Sequence, residues 1–197
     1  VEKYNHFIDN VFNITSIPGE LILHPQKKTK DSKNKLLGIN PGASYGSAKR
    51  WYPKEFADVA SGLSDHYDIV IFGGSNEKDI ASDIEKYLIE KGITNYQNLS
   101  AKTSITELIS QIANLDLFIT GDSGPMHLAA AYQIPTVAIF GPTNDKETSQ
   151  WMNEKSIIVK KNLECQPCMK RACPLKHHKC MKLLEASDVL RAVKRLN

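Results

Sequence analysis

The stretch DLFITGDSGPMHLAAAYQIPTVAIFGPT, residues 116–143, decides the fold class. Its first apolar run ends at Thr120, a short polar turn follows, and Pro125 begins an alanine-rich helical pattern before the next apolar run at 136–141. Short continuous apolar runs are typical of buried parallel strands, and a helix between two of them makes a β–α–β unit. The stretch therefore predicts a parallel sheet covered by helices.

The same alternation of apolar runs and helical patterns extends over the rest of the chain. Further strands are predicted at 36–40, 68–74 and 156–160, with a weaker one at 95–100. Helices are predicted from Pro53, around Ile80 to Leu88, after a capping box of Ser104 and Glu107, and at 188–196. The predicted fold class is α/β, a Rossmann-like, doubly wound parallel sheet.

A polar, lysine-rich stretch at 25–35 is the one convincing linker. It divides the chain into an interdomain segment and linker at 1–35 and a Rossmann-like domain at 36–197. That domain includes a basic, cysteine-rich segment (160–182) and the terminal helix (188–196). Because the first residue is Val1 and no signal-peptide pattern follows, we expect the chain to be a fragment of a longer protein.

Composition narrows the function classes. Of the 197 residues, 41% are hydrophobic and 24% are charged, which is typical of a globular protein, and no apolar run is long enough to span a membrane. The net charge of +3 is uneven, since the segment 160–182 carries seven basic side chains and one acid. That segment predicts either an anionic partner or a solvated basic surface, and the sequence favours neither.

Two strand-end loops carry candidate binding residues, because ligands of open α/β sheets bind at the carboxyl ends of the strands. The loop NPGASYGSAKRWYP (40–53) offers small residues, including Ser44, followed by Lys49. It suits an anion such as a phosphate, although an ordinary glycine-rich turn explains it equally well, and its spacing is not that of a P-loop. In FGGSNEKDIA (72–81), Glu77 either stabilises a helix N-terminus or binds ribose hydroxyls.

The loop GDSGPMH (121–127) is the third candidate. It delivers Asp122, Ser123 and the N–H groups of Gly124 and Met126 to a helix N-terminus, which is an anion-binding arrangement. A serine hydrolase is not expected, because the G-x-S-x-G turn of α/β hydrolases is not present here. His127 falls in the first helical turn, where it either packs in the fold or faces the loop.

Four cysteines lie within sixteen residues, in the pattern CQPCMKRACPLKHHKC (165–180). Thiols this dense, with two histidines among them, are consistent with a zinc site, with disulfides or with reduced thiols in a compact loop. A zinc-knuckle-type nucleic-acid-binding module on an α/β domain is therefore an alternative function. Its weakness is that aromatic stacking residues are absent from 160–182.

Taken in order, NPGASYGSAKRWYP, FGGSNEKDIA, GDSGPMHLAAA, FGPTND and CQPCMKRACPLKHHKCM resemble the ADP-heptose:lipopolysaccharide heptosyltransferases of glycosyltransferase family 9. The resemblance runs from about residue 36 to the end, and the cysteine segment is its most specific part. It implies the C-terminal, nucleotide-sugar-binding half of a GT-B fold, in which two Rossmann-like domains enclose the active site. The chain then lacks an N-terminal domain with an Asp general base and is expected to be inactive alone.

The resemblance also implies roles for individual residues. Ser44 and Lys49 would hold the diphosphate, with Lys49 offsetting the charge that develops on departing ADP. Glu77 would bind the ribose, and Thr103, within Lys102–Ser104, would line the adenine pocket. The loop at 121–127 would supply the remaining substrate contacts. Asp122 would contact the heptose hydroxyls, and His127 would lie nearby. The phosphate oxygens would be bound by Ser123, Gly124 and the Met126 N–H.

The implied reaction is inverting transfer of heptose from ADP-heptose to a lipid A–Kdo–heptose acceptor, with no cofactor and no metal on the diphosphate. The implied partners are these two substrates and the missing N-terminal domain of the same protein, and no nucleic acid. The implied location is the cytoplasmic face of the inner membrane, where the enzyme is peripheral and the basic segment could dock the anionic acceptor. In that compartment structural disulfides are disfavoured.

Overall fold

A computed structural model of the protein describes residues 2–24, 34–42 and 45–196. Its centre is one six-stranded sheet in which every adjacent pair of strands is parallel, in the order β3-β2-β1-β4-β5-β6. The strands are β1 (Lys35–Asn40), β2 (Tyr67–Ile71), β3 (Tyr96–Asn98), β4 (Leu117–Gly121), β5 (Thr136–Ile139) and β6 (Ser156–Val159). All six predicted strands are confirmed, including the weak one at 95–100.

Eight α-helices accompany the strands in the described part of the chain. They are α1 (Glu2–Phe12), α2 (Pro53–Leu63), α3 (Lys78–Glu90), α4 (Ile105–Ile112), α5 (Gly124–Ala131), α6 (Asp145–Thr148), α7 (Lys179–Lys182) and α8 (Ala186–Leu196). The predicted capping box is present, since Ser104 Oγ accepts from Glu107 N–H while the Glu107 carboxylate accepts from Ser104 N–H. The predicted α/β, doubly wound class is confirmed.

Two apolar layers sandwich the sheet. On one face α2, α3 and α8 bury side chains such as Phe56, Ile84 and Val189 against Ile39 of β1. On the other face α4 and α5 cover a second cluster that includes Phe118. Each such fully buried large apolar side chain stabilises the fold by roughly 1.5–3 kcal/mol, so these layers give the sheet a fixed geometry.

The strand order reverses direction on either side of β1. From β1 the chain proceeds outward to β2 and β3, then crosses back to β4 and continues to β5 and β6. The carboxyl ends of β1 and β4 are therefore adjacent, with Asn40 opposite Thr120. Such a topological switch point opens a crevice between the loops that follow the two strands, and it is where open α/β sheets bind ligands.

The segment before the sheet contains a helix that the sequence analysis did not predict. Helix α1 has no buried residue, and its apolar side chains Tyr4, Phe7 and Val11 are exposed. Their spacing of three and four residues was a signal for a helix. The linker residues 25–33 lie outside the described part, so the predicted boundary between 1–35 and 36–197 stays a prediction. No helix among the described residues is long and apolar enough to cross a membrane.

Gly38 in the central strand gives a direct test of how tightly the sheet is covered. A Cβ atom there would lie 2.4 Å from Leu115 Cδ1 and 2.7 Å from Phe118 Cδ2, and both side chains are themselves buried. We expect Gly38→Ala to lower the free energy of unfolding by about 1–3 kcal/mol, because the added methyl forces the packed side chains apart. Urea denaturation measures this loss. Gly19→Ala, where nothing lies within 4 Å of the new methyl, is the matched control and is expected to cost less than about 0.5 kcal/mol.

Candidate functional site

A cleft of about 530 Å³ lies at the carboxyl ends of β1, β2 and β4, across the switch point. Its walls come from the loop after β1, the turn after β2, the start of α4 and the start of α5. The lining residues are Asn40, Gly42, Tyr45, Lys49, Gly73, Gly74, Glu77, Thr103, Ser104, Ile105, Leu108, Asp122, Ser123, Gly124, Pro125 and His127.

The structure brings most of the predicted binding residues to this one cleft. Those lining it are Lys49, Glu77, Thr103, Asp122, Ser123, Gly124 and His127. Ser44 lies outside the described residues, so its predicted place stays a prediction. Four segments far apart in sequence thus converge on one space, as expected of parallel strand ends.

A buried ion pair forms the floor of the cleft. The Lys49 ammonium lies 2.7 Å from Asp122 Oδ2 and donates a hydrogen bond of 3.2 Å to the Asp122 carbonyl oxygen. The two side chains are only 11% and 6% exposed. Because each ion would cost several kcal/mol to bury alone, each depends on the other. The ring of Tyr45 lies 4.8 Å from the ammonium and adds a cation–π contact.

Glu77 performs the helix-stabilising role that the sequence allowed, and it also lines the cleft. Its carboxylate oxygen Oε2 accepts a 2.6 Å hydrogen bond from the Gly74 N–H, and the residue is buried. Gly42 approaches so closely that a Cβ there would lie 2.4 Å from Glu77 Cγ. The fixed carboxylate has further acceptor sites, so a ligand hydroxyl can share it with the backbone.

Ser123 is embedded in a polar network at the switch point. Its hydroxyl accepts from Asn40 Nδ2 at 3.1 Å and lies 3.2 Å from the Thr120 hydroxyl. Its hydrogen-bond partners in the described part of the chain include no histidine and no carboxylate, so nothing there activates it as a nucleophile. Asn40 was missed by the sequence analysis, although a polar residue closing a buried central strand was its signal.

Met126 differs from expectation. Its side chain is fully buried with Ala138 and Phe140, and it is not among the described residues that line the cleft. Its N–H donates to the Ser123 carbonyl at 3.1 Å, which closes the first turn of α5. Because the tight turn already uses the Met126 N–H for this internal hydrogen bond, the N–H groups of the preceding residues are the ones left to donate to a ligand.

His127 stands at the rim of the cleft in the first turn of α5. The surrounding walls exclude water from its imidazole, which lowers the pKa of His127 below its ordinary value. The Asp122 carboxylate acts in the opposite direction and raises this pKa, while the Lys49 ammonium lowers it further. His127 therefore responds to the balance of charge on the cleft floor.

An apolar wall lies where the adenine pocket was predicted. Beside Thr103 and Ser104, the side chains of Ile105 and Leu108 line the cleft, and Ile105 is 77% exposed. The sequence analysis did not identify Ile105, because the orientation of α4 relative to β4 is a tertiary property. An exposed apolar residue at the mouth of a cleft is suited to cover the face of a planar ring.

The four cysteines lie on the far side of the loop that carries Lys49. All four are free, and they line one narrow cavity of about 20 Å³ together with His177 and His178. Burial and the neighbouring thiols raise the pKa of Cys180 to about 11. Among the described residues no three Cys, His, Asp or Glu side chains are placed to hold a metal ion. The described part of the chain thus gives no support to the zinc-knuckle alternative.

Comparison with known proteins extends this picture. The chain is 47% identical over 202 residues to lipooligosaccharide heptosyltransferase 2 of Campylobacter jejuni serotype O:2, with 100% of the chain aligned to 63% of that protein. It is 32% identical over 128 residues to lipopolysaccharide heptosyltransferase 2 of Escherichia coli K12, which covers 64% of the chain and 37% of that protein. The chain thus spans less than two thirds of the length of these relatives.

Solved structures show the same fold. The chain superposes on E. coli ADP-heptose LPS heptosyltransferase II with a TM-score of 0.72 and 24% identity, covering 100% of the chain and 51% of that structure. A family 9 glycosyltransferase from Veillonella parvula gives a TM-score of 0.70 and 26% identity, covering 83% and 46%. The family model of glycosyltransferase family 9 (heptosyltransferase) matches residues 19–179. The resemblance drawn from the motifs is confirmed, and the chain belongs to glycosyltransferase family 9, the heptosyltransferases.

Proposed function

We propose that the chain is the donor-binding domain of an inverting heptosyltransferase that moves heptose from ADP-heptose to the lipopolysaccharide inner core. The observation that carries the proposal is the buried Lys49 ammonium on the floor of a cleft whose wall is a helix N-terminus. A cation and a helix N-terminus facing one space make a site for a diphosphate. The names of the relatives supply the sugar and the acceptor class.

The cleft has a separate place for each part of a nucleotide-sugar. The diphosphate lies over Lys49, with Ser123 and Gly124 at the start of α5 beside it. The Glu77 carboxylate accepts from the ribose hydroxyls, and Ile105 with Thr103 covers the adenine. The heptose then points toward Asp122 and His127. All of these residues line the same cleft, which is large enough for a ligand of this size.

The resting ion pair sets how the donor binds and reacts. Lys49 is neutralised by Asp122 before a ligand enters, so the diphosphate competes with that carboxylate for the ammonium. As the bond from the sugar to the diphosphate breaks, negative charge grows on the leaving ADP. A fixed cation stabilises that charge more than it stabilises the intact donor, which is the requirement for lowering the barrier.

In this proposal the remaining parts of the reaction come from outside the chain. The general base that activates the acceptor hydroxyl is an Asp of an N-terminal domain, so the chain alone binds donor without transferring heptose. No cofactor is required. The acceptor is the lipid A–Kdo–heptose glycolipid, reached by a peripheral enzyme at the cytoplasmic face of the inner membrane.

The basic segment 160–182 would face that anionic acceptor. Lys160 and Lys161 form ion pairs with Asp145 and Asp188, so much of their charge is already compensated. Arg171 is exposed and lies 5.3 Å from the ring of Tyr45 at the edge of the cleft. This position lets Arg171 meet an anionic group of an acceptor while the donor occupies the cleft.

Removal of the Lys49 charge tests the donor site. We expect Lys49→Gln to weaken ADP binding at least tenfold in isothermal titration calorimetry, because a charge-assisted contact contributes about 1.5–3 kcal/mol. The single variant leaves Asp122 buried without its partner, so a double variant, Lys49→Gln with Asp122→Asn, removes both charges and keeps the packing. The double variant is expected to fold and to bind ADP as weakly as the single variant Lys49→Gln does.

Lys54→Ala is the matched control for that experiment. It removes one lysine from the surface of α2, where Lys54 pairs with Asp58, and it is expected to leave ADP affinity within twofold. Wild-type affinity in both Lys49 variants would contradict the proposed site.

His127 reports the charge in the cleft and gives an independent test. We expect an imidazole pKa below the ordinary value of about 6.5, because the cleft walls desolvate the charged form. Asp122→Asn should lower the pKa further by removing a negative neighbour, and Lys49→Gln should raise it by removing a positive one. Bound ADP, an anion, should also raise it. NMR titration of the imidazole measures all four values, and a His127 pKa unmoved by ADP would contradict the proposal.

A further inference from the structure

The cysteine-rich segment holds the loop that carries Lys49 by its backbone. Ala48, immediately before Lys49, is buried, and both of its backbone polar groups bond to this segment. Its N–H donates to the Arg171 carbonyl at 3.0 Å, and its carbonyl oxygen lies 2.9 Å from His178 Nε2. A short turn at Ser47–Lys49 is thereby fixed from one side.

Further contacts show how closely the two segments are joined. A Cβ atom on Gly46 would lie 2.2 Å from the Arg171 carbonyl oxygen, so only glycine permits this approach. The Tyr45 hydroxyl donates to the Met169 carbonyl at 2.9 Å. The loop from Tyr45 to Lys49 is thus attached at its start and just before its end, and its last residue extends into the cleft.

The hydrogen bonds of His178 determine its tautomer. A carbonyl oxygen only accepts, so the proton is on Nε2, which donates to Ala48. With the proton on Nε2 alone, Nδ1 is an acceptor, and the Tyr52 hydroxyl lies 3.1 Å away as its donor. At the backbone, the His178 N–H donates to Cys173 Sγ at 3.4 Å. Ring and main chain are both held, so the imidazole is a rigid donor to the loop.

We propose that His178 is a positioning residue for the nucleotide diphosphate, acting through Ala48 to hold the Lys49 ammonium at the floor of the cleft. The inference rests on the proposed role of Lys49. It assigns a task to the cysteine-rich segment, which forms a brace behind the binding loop. His178 itself does not line the cleft, so it acts on the ligand only through the loop.

Substitutions of His178 distinguish the effect of losing the hydrogen-bond donor at Nε2 from the effect of losing side-chain volume. In calorimetry with ADP on the 197-residue chain, we expect His178→Ala and His178→Asn to weaken binding about three- to tenfold. His178→Gln is expected to stay within twofold, because its amide N–H₂ reaches the position of Nε2, whereas the shorter Asn amide corresponds to Nδ1. Thermal unfolding of each variant checks that it is folded.

The adjacent histidine is the matched control. His177 Nδ1 accepts from the Lys179 N–H at 3.0 Å within its own turn, and within the described part of the chain its side chain makes no hydrogen bond to the Lys49 loop. His177→Ala is therefore expected to leave ADP affinity unchanged. If His178→Ala does not fold, the comparison of the Gln and Asn variants decides the question alone.

A double-mutant cycle shows whether His178 acts through Lys49. In the Lys49→Gln background, His178→Asn is expected to have no further effect on ADP affinity, because the group that it positions is gone. Equal binding by the Gln and Asn variants, or fully additive losses in the cycle, would overturn the inference. Loss of affinity in Lys49→Gln with none in His178→Asn overturns only the positioning role, whereas unchanged affinity in Lys49→Gln overturns the proposed function itself.

Discussion

The buried pair of Lys49 and Asp122 is the interaction on which the site depends. It joins the loop after β1 to the loop after β4, the two strands on either side of the switch point. Each charge is expensive to bury alone, so the pair constrains both loops to one arrangement. The parallel sheet and its two apolar layers keep the ends of these strands in place. The ion pair then fixes the two loops that follow them, and these loops form the floor of the cleft.

The proposed binding of an anion follows from the same arrangement. Before a ligand enters, the Lys49 ammonium is paired with the Asp122 carboxylate, which belongs to the turn that begins α5. A diphosphate can share the ammonium with Asp122 while the N-terminus of α5 faces its oxygens. Two further contacts hold the walls of the cleft. The cysteine-rich segment contacts the Lys49 loop through His178, and the Gly74 N–H fixes the carboxylate of Glu77.

The sequence was sufficient for the strands, because buried parallel strands read as continuous apolar runs, and for α4, because Ser104 and Glu107 cap it. Most of the residues that it predicted to bind a ligand also line the cleft, since ligand-binding loops follow strands. It did not predict the pairing of Lys49 with Asp122, the wall formed by Ile105, or the internal use of the Met126 N–H. These depend on how separate elements meet in space. Helix α1 was missed although its apolar spacing was visible.

The most direct measurement of the central claim is an NMR titration of the isotope-labelled chain with ADP. The account predicts that the amide signals of Lys49, Gly74, Ser104 and Ser123 shift together, with one saturating curve, because they surround one cleft. The signals of Gly92 and Thr94, which line a separate groove beside β3, are predicted to stay in place. Shifts confined to that groove, or none at the cleft with ADP at saturating concentration, would contradict it.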